Sequence, residues 1–155
     1  MNISHPLTMS LTQQITEDLK VAMKAKDQIR ISCLRMLKTA LKNRQVEIGH
    51  ELEDEEIQPV ISSLIRKGQE AAKEFRQGGR DDLAAKEEEE IKIFYGYLPQ
   101  QLNPDEIEKV LREIIAELSA TSPKDLGKVM KAAMARLAGK AQGREVNEIA
   151  RRLLS

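Results

Sequence analysis

The sequence predicts an all-α protein: an N-terminal helical domain followed by a small C-terminal three-helix domain. Two observations carry this. Apolar residues recur at three- and four-residue steps through nearly the whole chain, and β-branched alternation with hairpin turn pairs is missing, so few or no strands are expected. The 155 residues are 41% hydrophobic and 32% charged, too apolar for a disordered chain and too charged for one that lives in a bilayer.

Met1 to Thr8 reads as a loose leader ahead of Met9. It has neither the basic flank nor the apolar stretch of a secretory signal, which makes the cytoplasm the default address. A first helix is expected over Leu11 to Ala25, with Leu11, Ile15, Leu19 and Met23 on one stripe. The second, about Asp27 to Ile48, places Ile29, Cys33, Leu37, Ala40 and Leu41 on one side and Arg35, Lys38 and Lys42 on the other, a basic ridge facing solvent. Arg30 and Arg44 project toward the apolar side, where a long stem packs while the guanidinium reaches a carboxylate. A third helix, roughly Asp54 to Arg76, opens with acids suited to the positive end of the macrodipole, and Pro59 is expected to kink its early turns. Gly78-Gly79 breaks the pattern, and a fourth helix runs from Asp81 to Tyr97 before Leu98-Pro99 stops it. Its run Glu87 to Glu90 is read as a solvated face, because consecutive residues point in four directions and do not converge on one ion.

Asn103-Pro104-Asp105-Glu106 is a helix start with a capping Asn, Pro at the first helical position and Glu three residues after the cap. Ser122-Pro123-Lys124-Asp125 repeats that grammar. These starts delimit a fifth helix ending near Leu118 and a sixth ending near Leu137. A loop bounded by Gly139 and Gly143 then precedes a last helix, Arg144 to Leu154. The organisation expected is a leader over 1–8, an N-terminal domain over 9–99 and a C-terminal domain over 100–155.

Lys plus Arg equals Asp plus Glu at 25 each, but the signs are segregated. From Lys20 to Arg44 eight basic residues stand against Asp27 alone; from Lys124 to Arg152 eight stand against Asp125, Glu145 and Glu148. In the sixth helix Leu126, Val129, Met130, Ala133 and Leu137 share one arc, and Lys124, Lys128 and Lys131 the opposite one. Lys140 in the loop, and Arg144, Arg151 and Arg152 on the last helix, extend this positive face toward what a phosphate backbone requires. With only Phe75, Phe94, Tyr95 and Tyr97 as aromatics and no Trp, a base-stacking single-strand reader is disfavoured. Phosphate contacts that follow the shape of a folded RNA need only Lys, Arg and backbone amides.

Catalytic readings find little support. Cys33, the one cysteine, allows no internal disulfide and is read as a small buried hydrophobe, while His5 and His50 are poor candidates for a metal ligand or general base. Gly139-Lys140-Ala141-Gln142-Gly143 lacks the spacing, the Ser or Thr after Lys and the preceding strand of a nucleotide loop. No Gly-flanked nucleophilic Ser is present. No catalytic residue, metal or cofactor is assigned.

Several ordered motifs nevertheless stand together: Arg30, Leu34-Arg35-Met36-Leu37 and Asn43; Tyr97-Leu98-Pro99-Gln100-Gln101-Leu102; Gly127-Lys128-Val129-Met130; and Gly139-Lys140-Ala141-Gln142-Gly143 with Val146-Asn147-Glu148. As a set they resemble the YqeY-like (GatB/YqeY domain) family over Met9 to Leu154; Pro59 and the leader are unusual for its pattern. The resemblance implies a helical N-terminal domain of about a hundred residues and a C-terminal three-helix domain. The latter is similar to the tail of the B subunit of the glutamine-dependent aspartyl/glutamyl-tRNA amidotransferase, and to modules fused to some glutaminyl-tRNA synthetases, where the tail helps engage tRNA. Carried over by motif, the RNA-binding positions are Lys128, Lys140, Arg144 and Asn147; Lys131, Arg136, Arg151 and Arg152 join them by the face argument. The family label also implies carbon–nitrogen ligase activity with glutamine as amido-N-donor. That chemistry needs an amidase site and an ATP-dependent acyl-activating site, neither of which this chain contains. The leading expectation is a non-catalytic tRNA-associated accessory protein, acting with an aminoacyl-tRNA synthetase or a tRNA amidotransferase. Its rivals are an accessory part of such a ligase acting through a partner, and a protein–protein adaptor whose ridge Arg35, Lys38 and Lys42 meets an acidic partner. No membrane and no metal enter any of these readings.

Overall fold

A computed structural model describes residues 9–155; the leader expected over 1–8 lies outside the described residues. Among them are seven α-helices, one 3-10 turn and no strand, so the chain is all-α. They divide into two compact units between Leu98 and Pro99.

The first unit holds four helices: α1 (Leu11–Ala25), α2 (Gln28–Ile48), α3 (Asp54–Gln77) and α4 (Asp81–Tyr95). Each start has a local chemical cause. Ser10 caps α1 by accepting the Gln13 N–H at 3.1 Å, and the Gln13 side chain accepts the Ser10 N–H at 3.0 Å, so two backbone donors without intrahelical partners are satisfied reciprocally. Lys26 takes a left-handed conformation to end α1, and the Asp27 carboxylate then accepts the Arg30 N–H to open α2. The Leu11 N–H donates to the Asp54 carboxylate at 3.0 Å, tying the start of α1 to the start of α3. Pro59 sits inside α3, which is assigned as one uninterrupted helix across it.

The core of this unit is built from Ile15 of α1, Cys33, Leu34, Leu37 and Leu41 of α2, Ile57, Ile61 and Ile65 of α3, and Phe94 of α4. Gly68 lets α3 and α4 approach closely: a Cβ there would lie 3.0 Å from Ile91 Cγ1. Four sequence expectations change. Ala22, not Met23, completes the buried stripe of α1, and Met23 is 48% exposed. Ile29 turns outward, while Ile31 and Leu34 are buried in its place, because the inward arc of α2 is the one that α1, α3 and α4 pack against. The fourth helix stops at Tyr95, with Gly96 following as its cap. The acidic run is not wholly solvated, since Glu90 is 6% exposed.

The second unit contains α5 (Pro104–Leu118), a 3-10 turn (Pro123–Asp125), α6 (Leu126–Arg136) and α7 (Gly143–Leu154). The Asn103 side chain accepts the Glu106 N–H at 2.9 Å and the Glu106 carboxylate accepts the Asn103 N–H at 2.9 Å, with Pro104 at the first helical position. At the second proline start Ser122 accepts the Lys124 N–H, but the turn that follows is 3-10 before α6 begins. Ile107, Leu111 and Ile114 of α5 meet Val129 and Ala133 of α6, Leu137 beyond it, and Val146, Ile149, Ala150 and Leu154 of α7. The segment before α5 clasps the α6–α7 loop: Gln101 Nε2 donates to the carbonyls of Pro99 and Gly139, and the Leu102 N–H donates to the Lys140 carbonyl at 2.9 Å.

Candidate nucleic-acid interface

The cations of the second unit are positioned by what its helices bury. Because Leu126, Val129, Met130, Ala133 and Leu137 turn toward α5 and α7, steps of three and four residues place Lys124, Lys128 and Lys131 outward, and all three are exposed. Lys140 follows in the loop, where Gly139 adopts φ of 73°, a conformation that favours glycine. Its backbone is pinned on both sides, the N–H to the Leu137 carbonyl at 2.8 Å and the carbonyl to Leu102, while its side chain is exposed. Among the described residues Lys128, Lys131 and Lys140 enter no ion pair.

The remaining expected contacts are placed differently. Arg136 leaves the end of α6 toward α5, with Nη2 2.7 Å from Glu117 and Nη1 3.4 Å from Glu113; the Glu117 hydrogen bond raises its already high pKa. Arg152 points to Glu108 at 2.6 Å, a carboxylate that also takes Arg112 at 2.9 Å. The Arg112 hydrogen bond first, and the Arg152 one second, hold the Glu108 carboxyl below the usual range. Both arginines thus fasten α6 and α7 to α5. Arg144 and Arg151 are exposed, two turns apart on α7 with the half-buried Asn147 between them, and Arg144 already has an interaction within the chain. In the first unit Arg35 and Lys42 are exposed, but Lys38 is half-buried and donates to Thr16 Oγ1 at 3.3 Å. Arg30 pairs with Asp27, the cap of α2, at 3.6 Å, and Arg44 with Glu47 inside the helix at 3.9 Å.

The sequence reading did not reveal the α5 carboxylates that hold Arg136 and Arg152. Glu113 and Glu117, which hold Arg136, stand four residues apart on one helix face, and Glu108, which holds Arg152, stands four residues before Arg112, but Arg136 and Arg152 lie on other helices. It also does not reveal the partly buried polar contacts of the first unit. Tyr97 donates to Asp18 at 2.5 Å, and the Cys33 thiol, fully buried, lies 3.6 Å from the Glu90 carbonyl. Burial above all, and then the Glu90 charge, push the Cys33 thiol up to about 12, which favours the protonated thiol over the thiolate. Burial, and next the neighbouring Glu87, raise the Glu90 carboxyl; burial and the Asp18 hydrogen bond raise the Tyr97 hydroxyl. Among the described residues no group of three or more His, Cys, Asp or Glu side chains is placed to hold a metal, and no helix is long and apolar enough to cross a membrane.

The arrangement defines a helical protein of two units, the second of which presents exposed ammonium groups on the outer face of one short helix, on the turn before it and on the loop after it. The chain belongs to the Yqey-like protein family, whose model matches residues 12–154. It is similar to proteins named "Altered inheritance of mitochondria protein 41, mitochondrial". The one from Lachancea thermotolerans is 32% identical over 112 residues, covering 70% of this chain and 60% of that protein. The one from Vanderwaltozyma polyspora is 28% identical over 120 residues, 72% and 64% of the two chains, and that from Saccharomyces cerevisiae strain YJM789 is 32% identical over 98 residues, 63% and 53%. The match thus spans between about half and just under two thirds of each relative's length. These names correct the cytoplasmic address: relatives at 28–32% identity are named mitochondrial proteins, and the signal-peptide criterion behind that address does not choose between the cytoplasm and an organelle.

Proposed function

We propose that this chain is a tRNA-binding accessory protein with no self-sufficient catalytic site, and that its second unit holds RNA phosphates. The observation that carries the reading is the row formed by Lys124 on the 3-10 turn and Lys128 and Lys131 on the outer face of α6, continued by Lys140 on a backbone-pinned loop. A helix face of this kind offers charge and shape without base-edge donors in a fixed plane, which suits the backbone of a folded RNA better than a base sequence. Arg144, Asn147 and Arg151 share one stripe of α7 and add to the cations of this unit, while Arg136 and Arg152 serve the fold. An aminoacyl-tRNA synthetase or a tRNA amidotransferase fits this reading as the partner that performs chemistry on the tRNA presented to it.

The test is binding of the purified protein to tRNA across a salt series, beside a Lys128→Glu/Lys131→Glu/Lys140→Glu variant whose helicity is checked. The expected logarithmic salt slope is about −0.7 to −0.9 for each phosphate contact, so three contacts give a slope of about −2 to −3 that the variant loses. No binding at low salt, or a folded variant that binds as the parent does, overturns the proposal.

A further inference from the structure

We infer that the outer face of α2 is a docking site for an acidic amphipathic helix of another protein, packed against it as the second strand of a short coiled coil. Ile29, Ser32, Met36, Thr39, Asn43 and Val46 follow one another at alternating steps of three and four residues, the spacing of a coiled-coil seam. All six are exposed, and the three apolar ones keep 40%, 42% and 75% of their surface open to solvent. In a chain with 32% charged residues, this seam carries no charge at all over nearly the full length of a 21-residue helix. The far arc of α2, with Leu34, Leu37 and Leu41, already fills the core of its unit, so the seam is not needed for folding.

Charge on the flanks selects the partner. With Ile29 and Met36 as the first positions of successive heptads, Arg35 and Lys42 both occupy the flanking position that precedes the next heptad, and both are exposed. The other flank turns toward the core, with Cys33 fully buried and Ala40 half-buried, and its one charged residue, Glu47, already lies 3.9 Å from Arg44. One seam edge is therefore basic, and a partner helix that places Glu or Asp against it is selected over one that places Lys or Arg there. A second copy of this chain would in an antiparallel pairing set Arg35 and Lys42 against themselves. An RNA backbone would need the charge in the middle of the face, where Ser32, Met36 and Thr39 stand, rather than along one edge. The site is independent of the tRNA reading, which rests on α6 and its loop.

The experiment titrates the full chain with two synthetic helical peptides that share leucine at the heptad core positions, one flanked by glutamate and the other by lysine, and follows backbone amide shifts. The expected result is that the glutamate peptide binds about tenfold or more tightly than the lysine peptide, with shifts concentrated from Ile29 to Val46. Met36→Asp, an outward position whose change spares the core, loses that binding, and Arg35→Glu/Lys42→Glu reverses the preference. Failure of both peptides to bind, equal binding of both, a dimer of this chain that Met36→Asp dissolves, or α2 shifts produced by tRNA and not by peptide would each overturn the inference.

Discussion

Leu111→Ala separates the two units experimentally. Leu111 is fully buried in the middle of α5, within a core shared by all three helices of the second unit. Truncating such a side chain costs about 2–5 kcal/mol, from lost transfer free energy plus a cavity that the neighbours fill only in part. A unit spanning Pro99–Ser155 is expected to have a total stability of roughly 3–9 kcal/mol by size alone, so the substitution removes much or all of it. The readouts divide cleanly because Phe75, Phe94, Tyr95 and Tyr97 all precede Leu98; the second unit has no aromatic residue. Near-ultraviolet circular dichroism and tyrosine fluorescence therefore report the first unit alone. Ellipticity at about 222 nm reports both, and the helices of 15, 11 and 12 residues in the second unit supply about a third of it against 15, 21, 24 and 15 in the first. The expected outcome is a variant that loses up to a third of its helical signal, or melts that part early in urea, with its tyrosine signal unchanged. Loss of both signals in one coincident transition, or a change below about 1 kcal/mol, would refute the reasoning from two separate cores.

Two further outcomes follow from the first unit. Because the Glu90 carboxyl titrates above its ordinary value, the native state holds a proton there that the unfolded chain has released; stability therefore falls as pH rises from the unfolded to the folded pKa, with a slope of at most about 1.4 kcal/mol per pH unit, and levels off above it. Urea midpoints of the parent and of Glu90→Gln from about pH 4 to 7 check this, and the component is disproved if the variant retains the parent's slope. Gly68→Leu drives a side chain into the space that Ile91 Cγ1 already closes at 3.0 Å, and is expected to cost about 1–3 kcal/mol in urea midpoint. Gly68→Ala should cost much less, since one methyl presses on a movable side chain and gains up to about 1 kcal/mol of helix propensity.

The amino-acid sequence by itself determined the helices and most of their ends, because caps, proline starts and glycine stops are local chemistry: Ser10 with Gln13, Asn103 with Glu106 and the Gly78-Gly79 break all act within a few residues. It also determined which way α6 turns, since Val129, Ala133 and Leu137 leave the lysines only the other side. Tertiary structure alone decided which charges remain available. Arg136 and Arg152 look like Lys128 and Lys131 along the chain, yet they are taken by carboxylates 19 and 44 residues away, on a helix whose approach no periodicity encodes. Glu90 is one of four consecutive glutamates, and only the packing of α4 selects it for burial while Glu88 pairs with Arg76 at the surface. Ile29 stands at inward helical spacing along the chain, but the arc that turns inward is set by the packing of α1, α3 and α4 on α2. The physical reason is the same in each case: capping energies are paid within one turn, whereas burial and ion pairing depend on distances between helices, which are fixed only when their cores close.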